Sequence, residues 1–162
     1  MPLLPNARDK LRVNLQKISI GKKANPVVIG HLTDEQLAGV NAFLAEKGFT
    51  PVSNQVVFRG QHVYESRVVK DGYSIDEVIE QITNGMDPSS VPIREHIMSA
   101  IQNETERVDR YGKAVKDTVV FRCAGRSTPE LYSVIPKGDV CPNKQKEQKT
   151  KEVTLVDDLS KT

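Results

Sequence analysis

Fifteen residues, "RGQHVYESRVVKDGY" at 59–73, bring together a histidine, two arginines, a glutamate, a serine, a lysine and two tyrosines. Within this stretch, His62, Ser66 and Arg67 have the widest chemical reach. An imidazole titrates near neutrality and can move protons there. A guanidinium grips a phosphate through two parallel hydrogen bonds and stabilises charge growing on its oxygens. Together they suit phosphodiester chemistry: a proton taken from a ribose 2′-hydroxyl or given to a leaving 5′-oxygen, with the phosphate held. On a helix, residues 62 and 66 share a face; on a strand, 62, 64 and 66 do, and Arg67 points away. The sequence leaves that choice open. The plain alternative for His62 is a surface or helix-start histidine with no function.

Later residues extend the basic, hydroxylic set. Arg122 lies in the apolar run "VVFRCA", where an unpaired guanidinium is costly. It either meets a carboxylate such as Glu130 or Glu95, or waits for a phosphate. Ser133 is a hydrogen-bond donor on a sheet face or simply a small strand residue. Lys137, in "IPKGD", is a solvated turn residue or a backbone-phosphate contact. Arg126, Ser127 and Thr128 in "AGRSTPE" form a turn with a basic tip that suits phosphate. "NETERVDRYGK" places Arg107, Arg110 and Lys113 around Tyr111, a grouping that can grip and stack single-stranded RNA. Its acidic neighbours Glu104, Glu106, Asp109 and Asp117 favour a solvated hairpin loop instead. His96 reads as a cross-strand neighbour, and His31 has no evident role.

Other chemistries find no home in the sequence. There is no GxxxxGK[ST], no GxGxxG after a strand, no GxSxG and no HExxH. The histidines stand apart at 31, 62 and 96. The two cysteines, Cys123 and Cys141, form no CxxC and allow one disulfide at most. Asp157 and Asp158 are adjacent in a polar tail and make no convincing metal site. Neither a metal nor a cofactor is expected. Lys and Arg number 23 against 21 Asp and Glu, a net +2 that permits a nucleic-acid partner without demanding one. No run of 18 apolar residues offers a membrane span, and "MPLLPNARDKLR" lacks the pattern of a signal peptide.

The elements that must position these groups follow from local grammar. At 162 residues the chain suits one domain. Residues 1–27 read as a lead-in or linker, 28–139 as the domain and 140–162 as a mobile polar tail. A helix is predicted over 33–48, with Thr33 and Gln36 as capping box, Leu32 and Leu37 as staple, and Gly48 as terminator. A second helix over 74–85 repeats the plan with Ser74, Glu77, Tyr73, Val78 and Gly85. Strands are predicted in "PIREHIMSAIQN", "DTVVFRCAG" and "ELYSVIPKG", paired antiparallel, with "NPVVIGH" and "SNQVVFRG" as further candidates. The fold class is α+β: helices first, then a small antiparallel sheet packed against them.

"VVFRGQHVYESRVVKDGYSIDEVIEQI", "RVDRYGKAVKDTVVFRC" and "PELYSVIPKGD" resemble the C-terminal toxin domains of contact-dependent growth inhibition (CdiA-type) and related polymorphic toxin systems. The likeness spans about residues 28–139. It implies the barnase–EndoU–colicin–RelE-like fold and a metal-independent endoribonuclease acting on RNA, above all tRNA. The product would be a 2′,3′-cyclic phosphate. Carried onto this chain, the resemblance makes His62 the general acid or base. Arg67 and Arg122 hold the transferring phosphate, and Ser133 and Lys137 assist. The residues themselves offer Arg59, Ser66, Arg110, Lys113, Arg126 and Thr128 as contacts to such an RNA. The resemblance also implies a cognate immunity protein, a host translation factor as a further partner, and action in the target cell's cytoplasm after delivery by a secreted or cell-surface carrier. The tail beyond "PKGD" is longer than that pattern. Two rival readings stand beside it: a non-catalytic binding or immunity-type protein using the same basic face, and an enzyme of another class, such as a DNase or an ADP-ribosyl transferase.

Overall fold

The computed structural model describes residues 3–86, 94–96, 100–109 and 111–137, with backbone alone for 94–96 and 100–103. It is an α+β fold. Helices α1 (Ala7–Ser19), α2 (Asp34–Glu46) and α4 (Ile75–Gly85), with the short α3 (Gln61–Val63), accompany six strands. The strands are β1 (Val27–His31), β2 (Gln55–Phe58), β3 (Arg94–His96), β4 (Ala100–Val108), β5 (Ala114–Arg122) and β6 (Glu130–Lys137). They form one sheet in the order β1-β2-β6-β5-β4-β3.

Both predicted capping boxes are present. The Thr33 and Ser74 side chains accept hydrogen bonds from the Gln36 and Glu77 amides, and the Gln36 and Glu77 side chains accept from the cap amides in return. Each box satisfies orphan donors of a first helical turn. Gly48 takes a left-handed φ of 79° just past α2, as a terminator should. Gly85 acts differently. It is the last residue of α4, and its missing Cβ lets Val119 of β5 approach: a methyl there would lie 2.6 Å from Val119 Cγ1.

Residues 1–27 are not a low-order lead-in, because α1 fills much of that span. Ala7, Leu11, Leu15 and Ile18 form one helical stripe, and Leu11 and Leu15 are fully buried. Three prolines and many basic residues hide that stripe in the sequence. Arg12 fixes α1 to α4 through Asp76 at 2.9 Å.

The sheet is mixed, not wholly antiparallel. β3, β4, β5 and β6 pair antiparallel in sequence order, and β1 pairs antiparallel with β2, but β2 lies parallel to β6. "PIREHIMSAIQN" is divided into β3 and the start of β4, which pair with each other. Most of the described residues of "RVDRYGKAVKD" are strand. The segment's alternation was disguised because an inward position of β5 is Asp117, fully buried and bound by Arg107 and Asn84. Tyr111, Gly112 and Lys113 form a turn closed by Asp109, which accepts from the Tyr111 and Lys113 amides. The segment after Asp139, including Cys141, lies outside the described residues; Cys123 is free and buried.

The core lies between the helices and one face of the sheet. Leu11 and Leu15, then Val78, Ile79 and Ile82, pack with Ile29, Phe58, Val119, Phe121 and Leu131. Each such side chain adds roughly 1.5–3 kcal/mol of burial. This is what holds the ends of β2, β5 and β6 in place.

Candidate functional site

The site grows from the point where β2 stops. Its partner β6 continues, so one edge of β6 loses its neighbour after Leu131. The chain leaves Phe58, turns at Gly60 and starts α3 beside that edge. Gly60 is required twice over. Its φ is 90°, and a Cβ would lie 2.0 Å from Asn14 Oδ1. Asn14 of α1, itself buried, clips the turn by donating to the carbonyls of Arg59 and Asn25.

α3 then passes directly into a π-helical turn, Tyr64–Lys70. Neither a plain helix nor a strand describes the segment. Such π-helical turns are concentrated at functional sites. The Arg67 charge lies close enough to His62 to act on its imidazole. Arg67 is mostly buried and pairs with Asp71 at 3.0 Å, while its Nε is buried without a hydrogen-bond partner. Ser66 is half-buried.

His62 stacks on Tyr132 of β6, with ring centroids 4.2 Å apart and planes 8° from parallel. The Arg122 guanidinium lies 3.5 Å from the same Tyr132 centroid. Groups this close to one centroid cannot share a face, so Tyr132 is sandwiched between imidazole and guanidinium. A bulge makes this possible. Phe121 pairs with Leu131 and Val120 with Ser133, which leaves Tyr132 as the extra residue. Leu131 and Val134 point into the core, while Tyr132 is re-aimed beside Arg122.

Burial first, and then the positive charges of Arg122 and Arg67, push the His62 imidazole below its ordinary value of 6.5; Glu65 opposes them. The ring is therefore neutral at pH 7 and able to accept a proton. Among the described residues none hydrogen-bonds either ring nitrogen. Arg122 is exposed, and no described carboxylate pairs with it. Of the alternatives weighed for it, Glu130 is its register partner, but Glu130 is taken by two other arginines.

Those two are Arg59, 3.4 Å away, and Arg126, 2.6 Å away. With Gly125, Ser127 and Thr128 they line a polar cleft of about 270 Å³. The "AGRSTPE" turn that forms it has Gly125 at φ 71°. Arg59 and Tyr132 directly follow the register pair Phe58 and Leu131, so this cleft adjoins the stack.

The fold thus gathers His62, Arg67 and Arg122, with Arg59, Arg126 and Thr128 next to them. It does not gather the others. Lys137 lies five residues along β6 from Tyr132, roughly 16 Å away, and its Nζ sits on Glu104 at 3.4 Å. Ser133 is buried, opposite Val120. Lys113 is at the far hairpin tip, nine residues and roughly 30 Å along β5 from Arg122. Arg107 binds the buried Asp117. Arg110 lies outside the described residues. Tyr132 was not anticipated. Only a bulge sets it outside the strand's alternation, and nothing in "ELYSV" marks a bulge.

Burial pushes the Cys123 thiol up to about 12, against a smaller opposing effect of Arg126, so it is no nucleophile. Among the described residues no group of three or more His, Cys, Asp or Glu side chains could hold a metal ion, and no helix is long and apolar enough to cross a membrane. Comparison with protein-family models, with curated proteins and with solved structures finds no match.

Proposed function

We propose that the chain is an endoribonuclease of the polymorphic-toxin type that cuts RNA, tRNA above all, without a metal. The observation that carries this reading is the His62–Tyr132–Arg122 sandwich: a neutral imidazole and an exposed guanidinium held on the two faces of one tyrosine ring. His62 takes the proton of the ribose 2′-hydroxyl. The 2′-oxygen attacks the adjacent phosphorus as the bond to the 5′-oxygen breaks. The imidazolium returns its proton to that oxygen, leaving a 2′,3′-cyclic phosphate and a free 5′-hydroxyl. Arg122 holds the non-bridging oxygens. Arg67, tied to Asp71, acts through its charge, favouring the neutral imidazole. Helices that precede an antiparallel β4–β5–β6 unit are in keeping with a barnase-like arrangement. A toxin of this kind is held inactive by a cognate immunity protein, for which an acidic surface would complement Arg59, Arg122 and Arg126. It acts in the cytoplasm of the cell it enters.

Purified protein incubated with total tRNA in EDTA, with and without translation factors, tests this. Discrete fragments ending in cyclic phosphate are expected, and His62→Ala should slow their formation roughly 100- to 10,000-fold. Intact tRNA under every condition would sink the reading.

One observation favours a second reading, a non-catalytic nucleic-acid- or protein-binding face. No described carboxylate orients the His62 ring through a hydrogen bond, as a partner commonly does for a catalytic histidine. Growth arrest on induced expression, lost in His62→Ala with tRNA binding retained, separates the two.

A further inference from the structure

We infer that the cleft between Arg59 and Arg126 is a subsite for one internal phosphodiester of a single RNA strand, next to the phosphate held by Arg122. This rests on the ribonuclease reading for the strand's identity, but the cleft's own features specify the ligand. Two guanidiniums converge on one carboxylate, Glu130, at 3.4 and 2.6 Å. The sum is one net positive charge, which matches an internal phosphodiester better than a doubly charged terminal phosphate.

Glu130 is buried and lies at the inner side of the arginines, whereas the Arg59 side chain is 58% exposed and that of Arg126 34%. Each guanidinium carries five N–H donors, and neither makes a hydrogen bond to Glu130 Oε2, so donors remain for a ligand. Ser127 and Thr128 add hydroxyls, and Gly125 leaves the rim open. Glu130 is two residues from Tyr132 on β6, roughly 7 Å. That is comparable with the step between successive phosphates of an extended strand. Glu130 therefore sets the charge of the cleft.

The test uses the full chain and an all-2′-deoxy oligonucleotide, which binds but cannot be cut, with anisotropy read across a salt series. Arg59→Gln and Arg126→Gln should each weaken binding and lower the slope of log K against log salt by about 0.7, one phosphate contact on a single strand. Glu130→Gln should do the opposite. It raises the cleft's charge by one, tightens binding several-fold and steepens the slope, a gain that misfolding cannot produce. A methylphosphonate at the phosphate flanking the cut site should weaken the wild type and leave Arg126→Gln unaffected.

Unchanged slopes in both arginine variants, or weaker binding by Glu130→Gln with an unchanged melting temperature, would overturn the subsite. Failure of the ribonuclease reading looks different: the slopes respond as expected, yet ribose-containing strands stay whole.

Discussion

The β5–β6 strand pair has two ends, and both collect basic side chains. At the hairpin end Arg107 binds the buried Asp117, and Lys116 and Lys137 flank Glu104 at 3.5 and 3.4 Å. Glu106 adds a further carboxylate near Lys116. At the opposite end Arg59 and Arg126 share Glu130, Arg67 has Asp71, and Arg122 rests on an aromatic face. Residue types barely differ between the two ends. The balance does. In the ion pairs among the described residues, three cations meet three carboxylates at the hairpin end, and at the other four guanidiniums lie near two paired carboxylates. A self-neutralised cluster stabilises structure and attracts no anion. A cluster with surplus charge, and a neutral imidazole within it, is arranged for something outside the chain.

That contrast is first broken at Asp117. Asp117→Ala removes the partner of Arg107 and of Asn84 at a fully buried position. Unfolding in denaturant should show a loss of about 3–5 kcal/mol, the usual cost of orphaning one member of a buried pair. RNA cleavage below the new melting temperature should persist. Loss of cleavage without loss of stability would mean that the hairpin end is not merely structural.

Gly60→Ala comes next and strikes the other end. It forces a side chain into positive φ and against Asn14 Oδ1. The strain should cost about 1–3 kcal/mol, and cleavage should fall further than stability because His62 hangs from this turn. Adding Asn14→Ala relieves the contact, so the double variant should lose less than the sum of the two singles.

How much of this was legible from sequence depends on range. The capping boxes at Thr33 and Ser74 are four-residue events, and they read correctly. Arg122 also draws notice in the sequence, because an isolated guanidinium in an apolar strand announces a tertiary reason, and the fold sets it against the same tyrosine ring as His62. What was hidden is what arises between distant segments. The parallel β2–β6 pairing and the bulge at Tyr132 depend on strands far apart in the chain. Lys137 misled for the same reason. Its type suits phosphate, but its partner Glu104 lies on β4, two strands over and 33 residues away, invisible to local patterns.

Arg122→Gln sharpens the comparison by pH. Arg122 is exposed, so melting should move little, while cleavage should fall about tenfold or more with one phosphate donor gone. The sign of the pH effect is fixed. A general base must be neutral, and Arg122 holds His62 below 6.5. The acidic limb of kcat/KM therefore lies below pH 6.5 in the wild type. It should move up in Arg122→Gln, still short of 6.5 because burial, the larger cause, remains. Folding stability behaves consistently: it declines as pH falls from 6.5 to the lowered value, since the unfolded chain takes up the proton first.

The smallest effect belongs to Lys137→Ala, and it is the most direct check that the two ends differ. Burial alone would raise the Glu104 carboxyl, but the hydrogen bond and charge of Lys137, and then of Lys116, outweigh it and hold the group below its ordinary 4.5. That contribution is present above pH 4.5 and is lost as pH falls through the lowered value. The lysines are half-exposed, so the pair should be worth no more than about 1 kcal/mol at neutral pH. Lys137→Ala should remove that small part, move the Glu104 carboxyl back toward 4.5 in a carbon-detected titration, and leave kcat/KM and its acidic limb where they were. A loss of cleavage comparable to that of Arg122→Gln would show that the RNA reaches along the whole of β6 and that the hairpin end belongs to the site after all.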